Sequence, residues 1–292
     1  MTTSGQIIHL KSGRSELALN LSGAEPVYWQ VDGRELLWRG DERHWNRSAP
    51  LLFPVVGTSR NSEIIVEGRR YPMPQHGFAK DMPFETVSVL PDSAELRLRA
   101  SDASRGFYPF SFNLNAHITL EERSFSITWK VINEGREVMP YALGFHPGFL
   151  WPFSIGSKEE YRVGFEQKEN ACIPAIARGG LLSKTQRVLA FSGSILSLSP
   201  ELFSGGALVF LDARSRRMSF SAPDGHTISL TMENFPHLAL WTKPDAPFLS
   251  MEAWTGHADW EDTPEQELSK RDSLILLQPG GEERHKIIVD FQ

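Results

Sequence analysis

Apolar and polar positions alternate with a period of two along much of this chain. Glu16-Leu17-Ala18-Leu19-Asn20-Leu21 shows the pattern, as do Ala94-Glu95-Leu96-Arg97-Leu98-Arg99, residues 111–118 and residues 124–131. Met218-Ser219-Phe220-Ser221 repeats it more briefly. Successive side chains of a strand point to opposite faces, so each segment predicts a strand with one face in a core. The other face then meets water or a ligand. Two-residue turn signals fall between such segments: Asp32-Gly33 between 27–31 and 35–38, Glu67-Gly68 between 64–66 and 69–71, and Asp224-Gly225 between 217–222 and 227–232. Thr263-Pro264-Glu265-Gln266-Glu267-Leu268 predicts a short helical turn, with Thr263 as its cap and Pro264 in first position. Long amphipathic helices and alternating β-α units are missing, which excludes doubly wound and (β/α)8 architectures. No linker and no repeat divides the chain. The expectation is one all-β domain over residues 1–292, a large antiparallel β-sandwich.

Composition narrows the partners. Thirty Lys and Arg against 36 Asp and Glu give a net charge of −6, a poor match for a nucleic-acid partner. The single cysteine, Cys172, forms no internal disulfide and fits a reducing compartment. Residues 1–10 lack the basic start and apolar run of a secretory signal. The apolar stretches 50–57 and 141–153 are too short and too broken to span a bilayer. These features predict a cytoplasmic protein with no membrane partner.

Gly-x-Ser-x-Gly, a Walker loop and a dinucleotide fingerprint are all missing, so no cofactor is expected. The nine His form no His-Glu-x-x-His or His-x-His pair, so no metal site is expected either. Three segments set titratable groups among aromatic and glycine residues. In Tyr71-Pro72-Met73-Pro74-Gln75-His76-Gly77-Phe78-Ala79-Lys80, two prolines stiffen a loop that either aims His76 into a cleft or ties it to a loop carbonyl. In Gly144-Phe145-His146-Pro147-Gly148, Pro147 pushes His146 toward an extended backbone. An apolar surround would hold that imidazole near the threshold between neutral and charged, as either a proton carrier or a satisfied core histidine. In Phe248-Leu249-Ser250-Met251-Glu252-Ala253-Trp254, Glu252 stands in a strand-like apolar run, where a carboxylate is costly unless paired or at work. The other reading is an edge-strand Glu facing solvent. A carboxylate and one or two imidazoles in an aromatic cleft make a metal-free general acid–base site.

Taken in order, these segments are similar to those of the aldose 1-epimerase (galactose mutarotase-like) superfamily, most closely its LacX-type branch. The matching residues are Trp45, residues 49–57, residues 71–79, residues 144–149, Ala239-Leu240-Trp241 and Met251-Glu252-Ala253-Trp254-Thr255-Gly256. The resemblance implies the family's β-supersandwich and interconversion of the α and β anomers of a hexose. It implies that Glu252 is the general base at the C1 hydroxyl and His146 the acid at the ring oxygen, ionised and protonated respectively in the starting complex. His76 would bond the ring-oxygen region. Arg60, Trp241 and Gln75 are further candidates for contact with an aldohexose or a phosphosugar. Two departures stand out: Thr58 replaces the Arg common after the Phe-Pro-x-x-Gly stretch, and Gly206 replaces a sugar-binding Asp. Together they favour an alternative, a carbohydrate-binding protein of the same fold with weak or no turnover.

Overall fold

The computed structural model describes residues 6–292. Its largest element is a ten-stranded antiparallel sheet whose centre is built from Thr227–Glu233, Glu282–Phe291, Ser124–Asn133 and Phe112–Leu120. The alternation seen in the sequence sets its two faces. In Ser124–Asn133, Phe125, Ile127, Trp129 and Val131 are buried, while the residues between them are partly exposed. The tight turns match as well. Asp32 and Gly33 both have positive φ (53° and 78°), as do Glu67 and Gly68 (50° and 72°), the backbone that two-residue hairpins require.

A six-stranded sheet packs on the large one. Its order runs Leu208–Phe210, His237–Trp241, Phe248–Trp254, Gly144–Phe145, Leu51–Leu52, with Gly148–Leu150 also pairing to Phe248–Trp254. The sheets meet through aromatic contacts: Trp129 lies 5.4 Å from Phe145, and Phe112 lies 5.2 Å from Phe53, ring centre to ring centre. Burying each such ring contributes about 2–3 kcal/mol. A four-stranded sheet formed by Ile7–Ser12, Ser15–Asn20, Glu25–Val31 and Arg34–Glu35 closes one side, with Trp29 against Phe125 at 5.0 Å. The hairpin Cys172–Ile176/Leu182–Val188 belongs to none of these sheets and stands on the outer face of the six-stranded one. Among the described residues no helix is long and apolar enough to cross a membrane.

The helical turn expected at Thr263 does not form; the only helical residues nearby are Leu268–Lys270. Tertiary bonds override the local signal. The Glu265 carboxylate is held by Arg70 and Asn61, and the Glu267 carboxylate accepts the backbone N–H groups of Glu67 (2.9 Å) and Gly68 (2.8 Å).

Candidate active site

The central strand Phe248–Trp254 sorts core from chemistry by its period of two. Leu249, Met251 and Ala253 enter the main core, so Ser250, Glu252 and Trp254 share the opposite face. There Glu252, 1% exposed, places Oε1 3.2 Å from Nε2 of His146. Its other oxygen accepts the indole N–H of Trp254 at 2.9 Å. The Nδ1 atom of His146 lies 2.9 Å from the Ser250 hydroxyl. Strand pairing brings these residues together, with Gly144 opposite Trp254 and Gly148 opposite Ser250.

The backbone around His146 is fixed by a loop whose anchor, Glu25, the sequence does not flag. The buried carboxylate of Glu25 accepts the N–H groups of Ser48 (2.7 Å) and Ala49 (3.0 Å) and pairs with Arg47 at 3.3 Å. This loop in turn receives the His146 N–H on the Pro50 carbonyl (3.2 Å) and the Gly148 N–H on the Ser48 carbonyl (2.8 Å). The same loop carries Trp45, whose ring centre lies 4.8 Å from that of His146. Trp241 meets His146 edge-on at 5.5 Å and Trp45 at 5.4 Å.

His76 enters from the other side. It takes a positive φ of 65°, and its Nδ1 accepts the Gly57 N–H at 3.0 Å. A neutral imidazole whose Nδ1 is an acceptor carries its proton on Nε2, so His76 offers that N–H as a donor. Its ring stands at 89° to that of His146 with centres 5.7 Å apart. The carboxylate and both imidazoles line one cleft of about 400 Å³, within the range of small-molecule sites.

Burial governs the ionisation of all three groups. It pushes the Glu252 carboxyl well above the usual carboxylate range, against the opposing hydrogen bond from Trp254. It pushes His146 down to about 3, and His76 well below its ordinary value with further help from the charges of His146 and Lys80. His146 therefore lies far on the neutral side rather than near the threshold, because the ring is buried, only 7% exposed at the cleft. Desolvation thus favours a neutral acid at Glu252 and a neutral base at His146 before any ligand arrives.

The remaining candidates divide. Trp241 and Gln75 line the cleft, Gln75 at its exposed rim. Arg60 does not. Its guanidinium donates to the carbonyls of Trp260 (2.8 Å) and Glu261 (2.6 Å), and its N–H to the Asp259 carboxylate (2.8 Å). The chain turns away after Gly57, and Arg60 staples two loops outside the site. The far wall is apolar, formed by Ile176, Leu182 and Val209 around Gly206, with no carboxylate in the place of the expected Asp. Asp212 is no substitute: its side chain is 89% exposed. Lys80, Arg47 and Lys243 also border the cleft, but each is engaged by protein groups. Lys80 donates to the Gln75 carbonyl (2.9 Å), Arg47 pairs with Glu25 and Asp81, and Lys243 donates to the His44 carbonyl (2.6 Å). Among the described residues no group of three or more His, Cys, Asp or Glu is arranged to hold a metal ion.

The roles of Ser250 and Trp254 as hydrogen-bond partners were missed from sequence, although their spacing of two from Glu252 on one strand was a usable signal. Glu25 and Lys243 carried none.

Comparison with known proteins places the chain in a family. A sequence profile described as Aldose 1-epimerase matches residues 6–290. The plasmid-borne Protein LacX of Lactococcus lactis subsp. lactis is 31% identical over 236 residues, covering 77% of this chain and 79% of that one. Its chromosomal counterpart matches at the same identity and coverage. In three dimensions, a galactose mutarotase-like protein from Lactobacillus casei superposes with a TM-score of 0.90 at 24% identity, covering 98% of this chain and 100% of the other. A galactose mutarotase related enzyme from Lactobacillus acidophilus gives 0.91 at 24% identity, over 98% and 97%. The chain belongs to the aldose 1-epimerase family.

Proposed function

We propose that this protein is a mutarotase that interconverts the α and β anomers of an aldohexose by general acid–base ring opening and closure. The observation that carries the reading is the contact between Glu252 and His146 at 3.2 Å inside an aromatic cleft. A hemiacetal presents its C1 hydroxyl and its ring oxygen on one carbon, so a base and an acid that touch each other match them. Glu252 takes the C1 hydroxyl proton while His146 delivers its Nε2 proton to the ring oxygen. The C1–O5 bond breaks and a carbonyl forms at C1. Rotation about C1–C2 exposes the other face of the aldehyde, and closure with the protons returning gives the opposite anomer. His76 donates its Nε2–H near the ring oxygen, where negative charge develops.

This chemistry needs a carboxylate and an imidazolium, whereas burial favours the two neutral groups. The two states hold the same number of protons and differ only in where one of them resides. The Trp254 N–H on Glu252 already favours the carboxylate, and the hydroxyls of a bound sugar supply further hydrogen bonds to the charged form. Trp45 and Trp241 give the sugar ring an apolar face.

Exchange spectroscopy by NMR, or polarimetry on freshly dissolved α-glucose and α-galactose, tests the reading. The expected result is equilibration that accelerates in proportion to protein concentration. A sugar that binds without faster exchange would instead support a carbohydrate-binding protein, the reading that the apolar wall at Gly206 favours. In the same assay Arg60→Ala should leave KM unchanged and lower stability by about 1 kcal/mol, because Arg60 serves the Trp260 and Glu261 carbonyls. A raised KM would return Arg60 to the site.

A further inference from the structure

We propose that Ser250 is a positioning residue that dictates which nitrogen of His146 takes part in proton transfer. Ser250 is fully buried, and its hydroxyl lies between the imidazole and the chain immediately following it. Oγ donates to the Pro147 carbonyl at 2.9 Å and stands 2.9 Å from Nδ1 of His146. A hydroxyl has one proton to give. With that proton on the Pro147 carbonyl, Oγ accepts from the ring, so Nδ1 must carry a hydrogen. The nitrogen left to gain and lose a proton is Nε2, the one facing Glu252 at 3.2 Å. His76 is set the opposite way by the Gly57 N–H on its Nδ1, so the two rings present different nitrogens in different states to one cleft.

The Pro147 carbonyl also accepts the Met251 N–H at 3.2 Å, so it keeps a partner when Ser250 is changed. The ring does not. Ser250→Ala therefore removes the acceptor from an imidazolium with little other loss, and the ring becomes free to carry its single proton on Nε2. Neutral His146 in that state cannot accept at Nε2, and charged His146 gives up its proton at lower pH.

The role rests on the mutarotase reading, but one of its tests does not need turnover. In protein labelled with ¹⁵N-histidine, the His146 signals are identified by their loss in His146→Gln. The expected wild-type spectrum shows a protonated Nδ1 at neutral pH. In Ser250→Ala that signal is replaced by an unprotonated Nδ1, and Ser250→Thr, which keeps the hydroxyl, restores it. Where exchange is catalysed, Ser250→Ala should lower kcat about 10- to 100-fold, the usual worth of a hydrogen bond to a charged group, and move the alkaline limb of the rate profile downward. An unprotonated Nδ1 in the wild type overturns the proposal. So does a Ser250→Ala protein, folded by circular dichroism, in which neither the Nδ1 signal nor the alkaline limb moves. A protonated wild-type Nδ1 that Ser250→Ala abolishes, in a protein that never speeds anomer exchange, would sink the mutarotase reading and leave the tautomer assignment standing.

Discussion

Glu252→Gln is expected to slow catalysed anomer exchange by about a thousandfold or more, since a positioned general base contributes roughly 10²–10⁴. The substitution keeps the shape of the side chain and leaves an oxygen for the Trp254 N–H, now at 2.9 Å from Glu252 Oε2, so the loss isolates the proton-accepting function. Stability should move the other way. Burial raises the folded carboxyl well above 4.5, so the unfolded chain gives up this proton first. Such a group supports folding only at low pH, and its contribution is lost as pH rises from about 4.5 toward the folded value. At neutral pH the variant escapes that cost and should melt above the wild type, while the two should converge in acid. Polarimetry and calorimetry on the same preparations check both halves. A variant retaining a tenth or more of wild-type exchange would remove Glu252 from the chemistry. A neutral-pH melting point below the wild type would mean that the carboxyl is already ionised and paired in the resting protein.

How much of this was readable beforehand differs residue by residue. Alternation located the strands because a buried face against a polar face leaves the same mark wherever the strand later pairs. The mark in Phe248–Trp254 is fainter, since all seven residues are buried, yet the one charged residue in an apolar run still pointed to a site. His146 and His76 stood out through neighbouring proline and glycine. Their ionisation did not, because it depends on Trp45, Trp241 and the Glu25-held loop closing around them from distant parts of the chain. Arg60 misled for a similar reason: it lies two residues past Thr58, but its partners are 200 and 201 positions away. The helical signal at Thr263-Pro264 was real as local chemistry and lost to carboxylates that found better donors on the 67–68 turn. The apolar far wall was also invisible, because the hairpin that supplies Ile176 and Leu182 joins none of the large sheets and docks through side-chain packing and backbone bonds to the distant 259–261 segment.

Gly77→Ala should be strongly damaging, for reasons that link the fold to the site. Gly77 has φ of 71°, and a Cβ built there would lie 2.1 Å from the Phe53 carbonyl oxygen and 2.4 Å from its carbon. That oxygen cannot yield, because it accepts the N–H groups of both Phe78 (3.0 Å) and Ala79 (3.2 Å). Phe53 is itself fully buried, with its N–H on the His76 carbonyl at 3.2 Å. Relief therefore means separating the 53–54 segment from the 76–79 loop, which also withdraws His76 from the cleft. The expected cost is about 3–5 kcal/mol, the size reserved for backbone strain combined with a steric clash. In a protein of this length that corresponds to a drop of roughly 5–8 °C in melting temperature. Gly33→Ala supplies the control. It has nearly the same φ, 78°, but its Cβ would meet nothing within 4 Å, so it should lose only the left-handed strain of about 1–2 kcal/mol. Thermal unfolding of both variants separates conformation from collision: equal shifts would show that the Phe53 carbonyl is free to move. If Gly77→Ala instead folds at reduced stability and catalyses exchange at the wild-type rate, the position of His76 does not matter to turnover.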